Sequence, residues 1–183
     1  QRNAHAFYLR AYILIDQGIQ SANKALKALE KSIKIAPKRA ASHHLNGYIL
    51  EQMNRREEAL LAYARAVDLE PKNIVYQQAK AIARVHIGEG SKAQNSLINI
   101  LRKTPGNNDV RRALAHVYMN AKEWKKAEQI LRKAPKQTLE IKTDIAVVQL
   151  SSGQIEQSLQ QLRRLTEKNP SHRVVVYNLA LAL

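Results

Sequence analysis

The feature that most constrains this chain is a pattern of small and apolar residues that returns roughly every 34 residues. The clearest copy runs from Ala40 to Asn73, where Gly47 is followed by Ala59, Tyr63, Ala66 and Pro71. The same marks recur as Ala81, Ala93, Leu97 and Pro105, then as Leu114, Ala115, Tyr118, Ala127, Leu131 and Ala134. A later copy has Ala146, Gly153, Ser158, Leu162 and Pro170, and the first has Ala11, Leu14, Ala25, Leu29 and Pro37. A unit of this length cannot bury its own apolar face, so the copies must stack on their neighbours. Stacked arrays present long continuous surfaces, which favours holding a partner over transforming a substrate.

Each unit reads as two helices and a turn. In the second unit Ala41 to Gln52 has helical periodicity and Asn54 interrupts it. Glu57 to Leu69 forms the second helix, and Pro71 stops its propagation. Gly88-Glu89-Gly90 marks the turn of the third unit, and Pro105-Gly106-Asn107-Asn108 is a loop. The first unit has a longer internal turn, around Ile19 to Asn23. In the fourth, Pro135 directly follows Ala134 and cuts the second helix short, so Ala115 and Ala146 are only 31 residues apart. Val174-Val175-Val176 is β-branched but sits in a helical Ala/Leu context.

On these residues the chain resembles the tetratricopeptide repeat (TPR) family. The resemblance implies an all-α fold: a right-handed superhelical solenoid of antiparallel helix pairs. It places about five units at residues 4–39, 40–73, 74–107, 108–137 and 138–172, then an extra helix in a partial unit, 173–183, all within a single array, 1–183. The family's Trp near the start of each first helix is missing, and Trp124 takes an aromatic place early in a turn. The last residues, Tyr177 to Leu183, are apolar and stop partway through a unit. Two expectations follow: a segment of a longer array, or self-association through the apolar C-terminal helix.

In that family the first helix of each unit lines the concave face. Carried over by register, this gives Tyr8, Tyr12 and Asp16, then Ala41, His44, Tyr48 and Gln52, then Gln78, Ile82, Val85 and His86. The fourth unit gives Asp109, Arg112, His116 and Asn120; the fifth gives Thr143, Val147 and Ser151, with Tyr177 beyond. The candidate partner-binding set is Tyr8, Tyr12, His44, Tyr48, Gln52, Gln78, His86, Arg112, His116 and Asn120. Tyrosine offers apolar area plus a hydroxyl and suits an extended peptide. The plainer reading is that these side chains are only what an inner wall leaves exposed. The family's two-carboxylate clamp for acidic chaperone tails is missing, since Tyr8, Tyr12 and Leu45 hold its places.

The net charge of +15 favours anionic partners or surfaces. Lys24, Lys27, Lys31 and Lys34 share one face of an outer helix. This basic stripe is either a solvated surface or a contact for nucleic acid, an acidic polymer or an anionic membrane. No aromatic side chains interleave with the lysines in sequence, as base stacking would require. With no cysteine, disulfides, thiolate metal sites and cysteine nucleophiles are excluded. No His-x-x-x-His spacing, phosphate-binding glycine loop or serine-nucleophile motif occurs. No run of residues is long and apolar enough to span a membrane. The expectation is therefore a non-enzymatic, cofactor-free and metal-free scaffold for a protein or peptide partner. A docking or regulatory segment of a larger enzyme is the further alternative. The resemblance to bacterial arrays favours a role in envelope, pilus, secretion or polysaccharide-export assembly, with the envelope preferred over the cytoplasm.

Overall fold

A computed structural model describes residues 2–183. Among the described residues there are eleven α-helices and no strand. The chain divides into two compact units, Gln1–Ser96 and Leu97–Leu183. The first holds α1 (Arg2–Asp16), α2 (Ala22–Ile35), α3 (Ala40–Gln52), α4 (Arg56–Leu69) and α5 (Ile74–His86). The division falls within α6 (Gly90–Lys103). The second unit continues with α7 (Asn108–Asn120), α8 (Trp124–Arg132), α9 (Leu139–Ser151), α10 (Ile155–Lys168) and α11 (Arg173–Ala182). The valine run 174–176 is helical, and Trp124 opens α8 instead of sitting in the turn before it.

The recurring residues specify packing. In every second helix the small residue of the repeat is fully buried: Ala25, Ala59, Ala93, Ala127 and Ser158. Four residues on, one helical turn away, the large residue is buried too: Leu29, Tyr63, Leu97, Leu131 and Leu162. The small position lets backbones approach, and the large one fills the space between helices. Replacing one of these leucines by alanine would cost about 2–5 kcal/mol. Gly47 shows the same logic, because Tyr63 lies flat against it on the facing helix.

Hydrogen bonds fix the hairpins as antiparallel. In the first unit the buried Ser32 hydroxyl near the end of α2 donates to the Ala4 carbonyl at the start of α1 (2.8 Å). It also lies 3.0 Å from the Ser42 hydroxyl on α3, joining three helices at one polar point. In the second unit Ser158 donates to the Ala146 carbonyl (2.8 Å) and Gln161 to the Lys142 carbonyl (2.5 Å). Pairing thus runs down α9 as it runs up α10.

The period is also written in the backbone. Asn54, Gly88, Lys122 and Gly153 have positive φ, each in the turn between the helices of its repeat, at intervals of 34, 34 and 31 residues. The interval shortens where the fourth repeat does: α8 has 9 residues, whereas α4 and α10 have 14. A helix C-terminus leaves carbonyls without intrahelical donors. Here Gln137 Nε2 donates to the carbonyls of Leu131, Arg132 and Ala134. The buried Arg111 guanidinium takes the Ile130 carbonyl (3.0 Å) and that of Pro105. Its burial holds the Arg111 pKa below the usual arginine value. The first repeat spends its extra turn residues on a 3-10 turn, Ile19–Ser21, entered through Gly18 at φ 123°.

Candidate interaction site

The first helices of successive repeats lie side by side, α1 beside α3 and α3 beside α5 in the first unit. On their common face the side chains form a polar–aromatic chain. The Tyr8 ring lies nearly parallel to His5, with centroids 6.1 Å apart, and the Arg39 guanidinium sits 4.8 Å from its centroid. Arg39 Nη2 donates to His5 Nδ1 (2.7 Å), since a guanidinium has no acceptor. His44 packs between Tyr63 (5.5 Å) and Tyr76 (4.9 Å), and burial lowers its pKa, keeping the ring neutral. Glu51 accepts from the Tyr63 hydroxyl (2.9 Å) and from His86 Nδ1 (2.7 Å). The His86 hydrogen bond, more than the Tyr63 one, holds the Glu51 carboxyl below the usual carboxylate range. Burial, then the Glu51 charge, pushes the Tyr63 phenol upward.

Beside this chain two rings are left open to solvent. Tyr12 is 54% exposed and Tyr48 44% exposed. Gln52 is exposed and Gln78 half-buried. Of the seven candidates in the first unit, Tyr8, His44 and His86 are engaged within the protein, and Tyr12 and Tyr48 are the apolar surface on offer.

In the second unit α7 lies beside α9, and α9 beside α11. Arg112 reaches across to Asp144 on α9, with Nε 2.5 Å and Nη2 3.3 Å from the two carboxylate oxygens. That bond raises the Arg112 pKa and occupies the guanidinium, so a ligand carboxylate would have to displace Asp144. His116 and Asn120 are exposed. Tyr177 on α11 is exposed as well.

The basic stripe divides. Lys24, Lys27 and Lys31 line a cleft between α1 and α2 together with Phe7, Arg10 and Ala28, and Lys34 stands outside it. An aromatic ring does accompany the lysines, supplied by the neighbouring helix: the Lys31 ammonium lies 5.5 Å from the Phe7 centroid.

His5, Arg39, Glu51, Tyr76 and Asp144 are participants that sequence reading missed. The usable signal was the period itself. His5 and Arg39 are 34 residues apart, Glu51 and His86 are 35, and Arg112 and Asp144 are 32. Complementary side chains one repeat apart meet across adjacent first helices. Among the described residues, no three His, Cys, Asp or Glu side chains gather in a metal-binding group.

Comparison with known proteins agrees with this architecture. The tetratricopeptide repeat pattern matches residues 40–73, the clearest unit of the sequence, and separately residues 88–140. No curated protein matches the sequence significantly. Among solved structures, a tetratricopeptide repeat protein from Parabacteroides merdae superposes with a TM-score of 0.82 at 19% identity, over 100% of this chain and 73% of its own. MamA from Desulfovibrio magneticus RS-1 superposes with a TM-score of 0.81 at 13% identity, over 94% of this chain and 98% of its own. YrrB, described as a TPR protein with an unusual peptide-binding site, gives 0.71 at 14% identity, over 93% of this chain and 89% of its own. The recurring buried small and large positions, the one-repeat turn spacing and the two pattern matches lead to one assignment: the chain belongs to the tetratricopeptide repeat family.

Proposed function

We propose that this protein is a non-catalytic interaction scaffold, and that the face formed by α1, α3 and α5 holds an extended peptide segment of a partner. The observation that carries this reading is the exposure of Tyr12 and Tyr48 beside a braced row of polar groups. Large rings left in solvent on a rigid wall are preorganised contact area, so little side-chain order is lost when a peptide docks. Gln52 beside them supplies amide donors and acceptors for a peptide backbone. YrrB, which shares the fold, is described by its peptide-binding site, and this supports the choice of a peptide as ligand. The wider setting in this reading is assembly of bacterial envelope, pilus, secretion or polysaccharide-export machinery, which rests on family resemblance alone.

Selection of binders from a random peptide library, followed by titration, tests the reading. Tyr12→Ala and Tyr48→Ala should each weaken the selected peptide about tenfold, or ~1.4 kcal/mol, without changing the helical circular dichroism. If the double variant binds as tightly as the parent, this face is not the docking surface.

A further inference from the structure

The cleft between α1 and α2 lies on the other side of α1 from Tyr8 and Tyr12 and has a different chemistry. It encloses about 230 Å³ and is lined by Phe7, Arg10, Lys24, Lys27, Ala28 and Lys31. Four of its six lining residues are cationic, and none is acidic. The antiparallel pairing of α1 with α2 creates it. Residues 7 and 10 are one turn apart on α1, while 24, 27, 28 and 31 share a face of α2, and the two sets meet. Ala28 is small enough to leave the floor open.

What separates this cleft from an ordinary solvated surface is the convergence of four cations on one concavity that holds no countercharge. Some exposed basic residues elsewhere carry a carboxylate on the same helix or turn: Arg55 with Glu58, Lys92 with Glu89, Lys126 with Glu123, Arg132 with Glu128. Among the described residues, none of Arg10, Lys24, Lys27 and Lys31 has such a partner. The single carboxylate of α2, Glu30, is exposed and does not line the cleft. Four like charges around a small concavity repel one another, and the field between them is focused by the apolar walls. The arrangement is stabilised when an anion carrying several charges occupies the space.

We propose that the α1–α2 cleft is a binding site for multiply charged phosphate groups. A lone carboxylate brings one charge to four cations. A phosphate or pyrophosphate brings more, with several acceptor oxygens arranged around one centre for flexible ammonium donors and the Arg10 fork. The start of α2, where Ser21 provides no side-chain cap, adds the positive end of a helix dipole next to Lys24. The Phe7 ring is already covered by Lys31, which argues against base stacking and for recognition of the phosphate itself.

The test is isothermal titration of the whole chain with pyrophosphate at low salt. The parent should bind, and affinity should fall as salt rises. Lys27→Gln with Lys31→Gln should weaken binding about tenfold. Arg163→Gln with Arg164→Gln removes the same charge from exposed positions on α10 and should change it less than about twofold. Thermal melts of both variants should match the parent. If the parent does not bind pyrophosphate, or both double variants lose it equally, the site does not exist and only net charge is at work. Sedimentation with phosphatidylcholine vesicles containing one-fifth phosphatidylinositol phosphate identifies the source. Cleft-dependent sedimentation supports a lipid-borne phosphate, and pyrophosphate binding without it supports a soluble one.

Discussion

Gly47 has no room for a side chain. A Cβ there would lie 2.6 Å from Cδ1 of Tyr63, on a ring packed rigidly between helices. Gly47→Ala should therefore lower stability by about 1–3 kcal/mol in urea unfolding, despite the better helix propensity of alanine. His44 predicts a pH effect. Its folded pKa lies below the ordinary 6.5, so the unfolded chain binds the proton more readily. The associated stability is fully present above pH 6.5 and declines as pH falls toward the folded value. The difference in urea midpoint between the parent and His44→Gln should shrink between pH 7 and pH 5. At this scale the sequence was legible where one residue type serves every repeat, as with Gly47, Ala59 and Tyr63. It was opaque where two different residues meet across repeats. Tyr8 and His5, three residues apart on α1, can be placed on one face from helical register, but their partner Arg39 depends on the offset between neighbouring helices, which register within one helix does not contain.

The elements owe their ends to local chemistry that was partly visible. Asn73, Asn107 and Thr138 each cap a first helix, accepting from the backbone N–H of Val75, Val110 and Ile141. Replacing any one by alanine should cost about 1 kcal/mol in chemical denaturation. Pro135 announced the short α8, but the repair did not announce itself. Gln137 lies past the proline and turns its amide back onto three carbonyls, and Arg111 arrives from α7. Gln137→Ala should cost about 1–2 kcal/mol, and amide exchange should show the loss first in the last turn of α8. A similar change at Lys136, which is exposed, serves as the control.

For the molecule as a whole, stability in a repeat array is a sum of repeat terms and nearest-neighbour terms. Overpacking one buried small position should therefore act locally. Ala127→Leu, at a fully buried site in the shortest helix, should weaken exchange protection in α7, α8 and α9 and leave α1 to α4 as they were. Uniform loss across all eleven helices would mean that the chain unfolds as one cooperative block. The placement of Trp124 makes the distinction readable by light. It is the only tryptophan and packs at the start of α8 against the cluster that contains Ala127 and Leu131. Five of the seven tyrosines, by contrast, lie between Tyr8 and Tyr76. Indole emission therefore follows the second unit alone, while phenol emission is weighted toward the first. One unlabelled sample carries two intrinsic probes, one for each half of the chain.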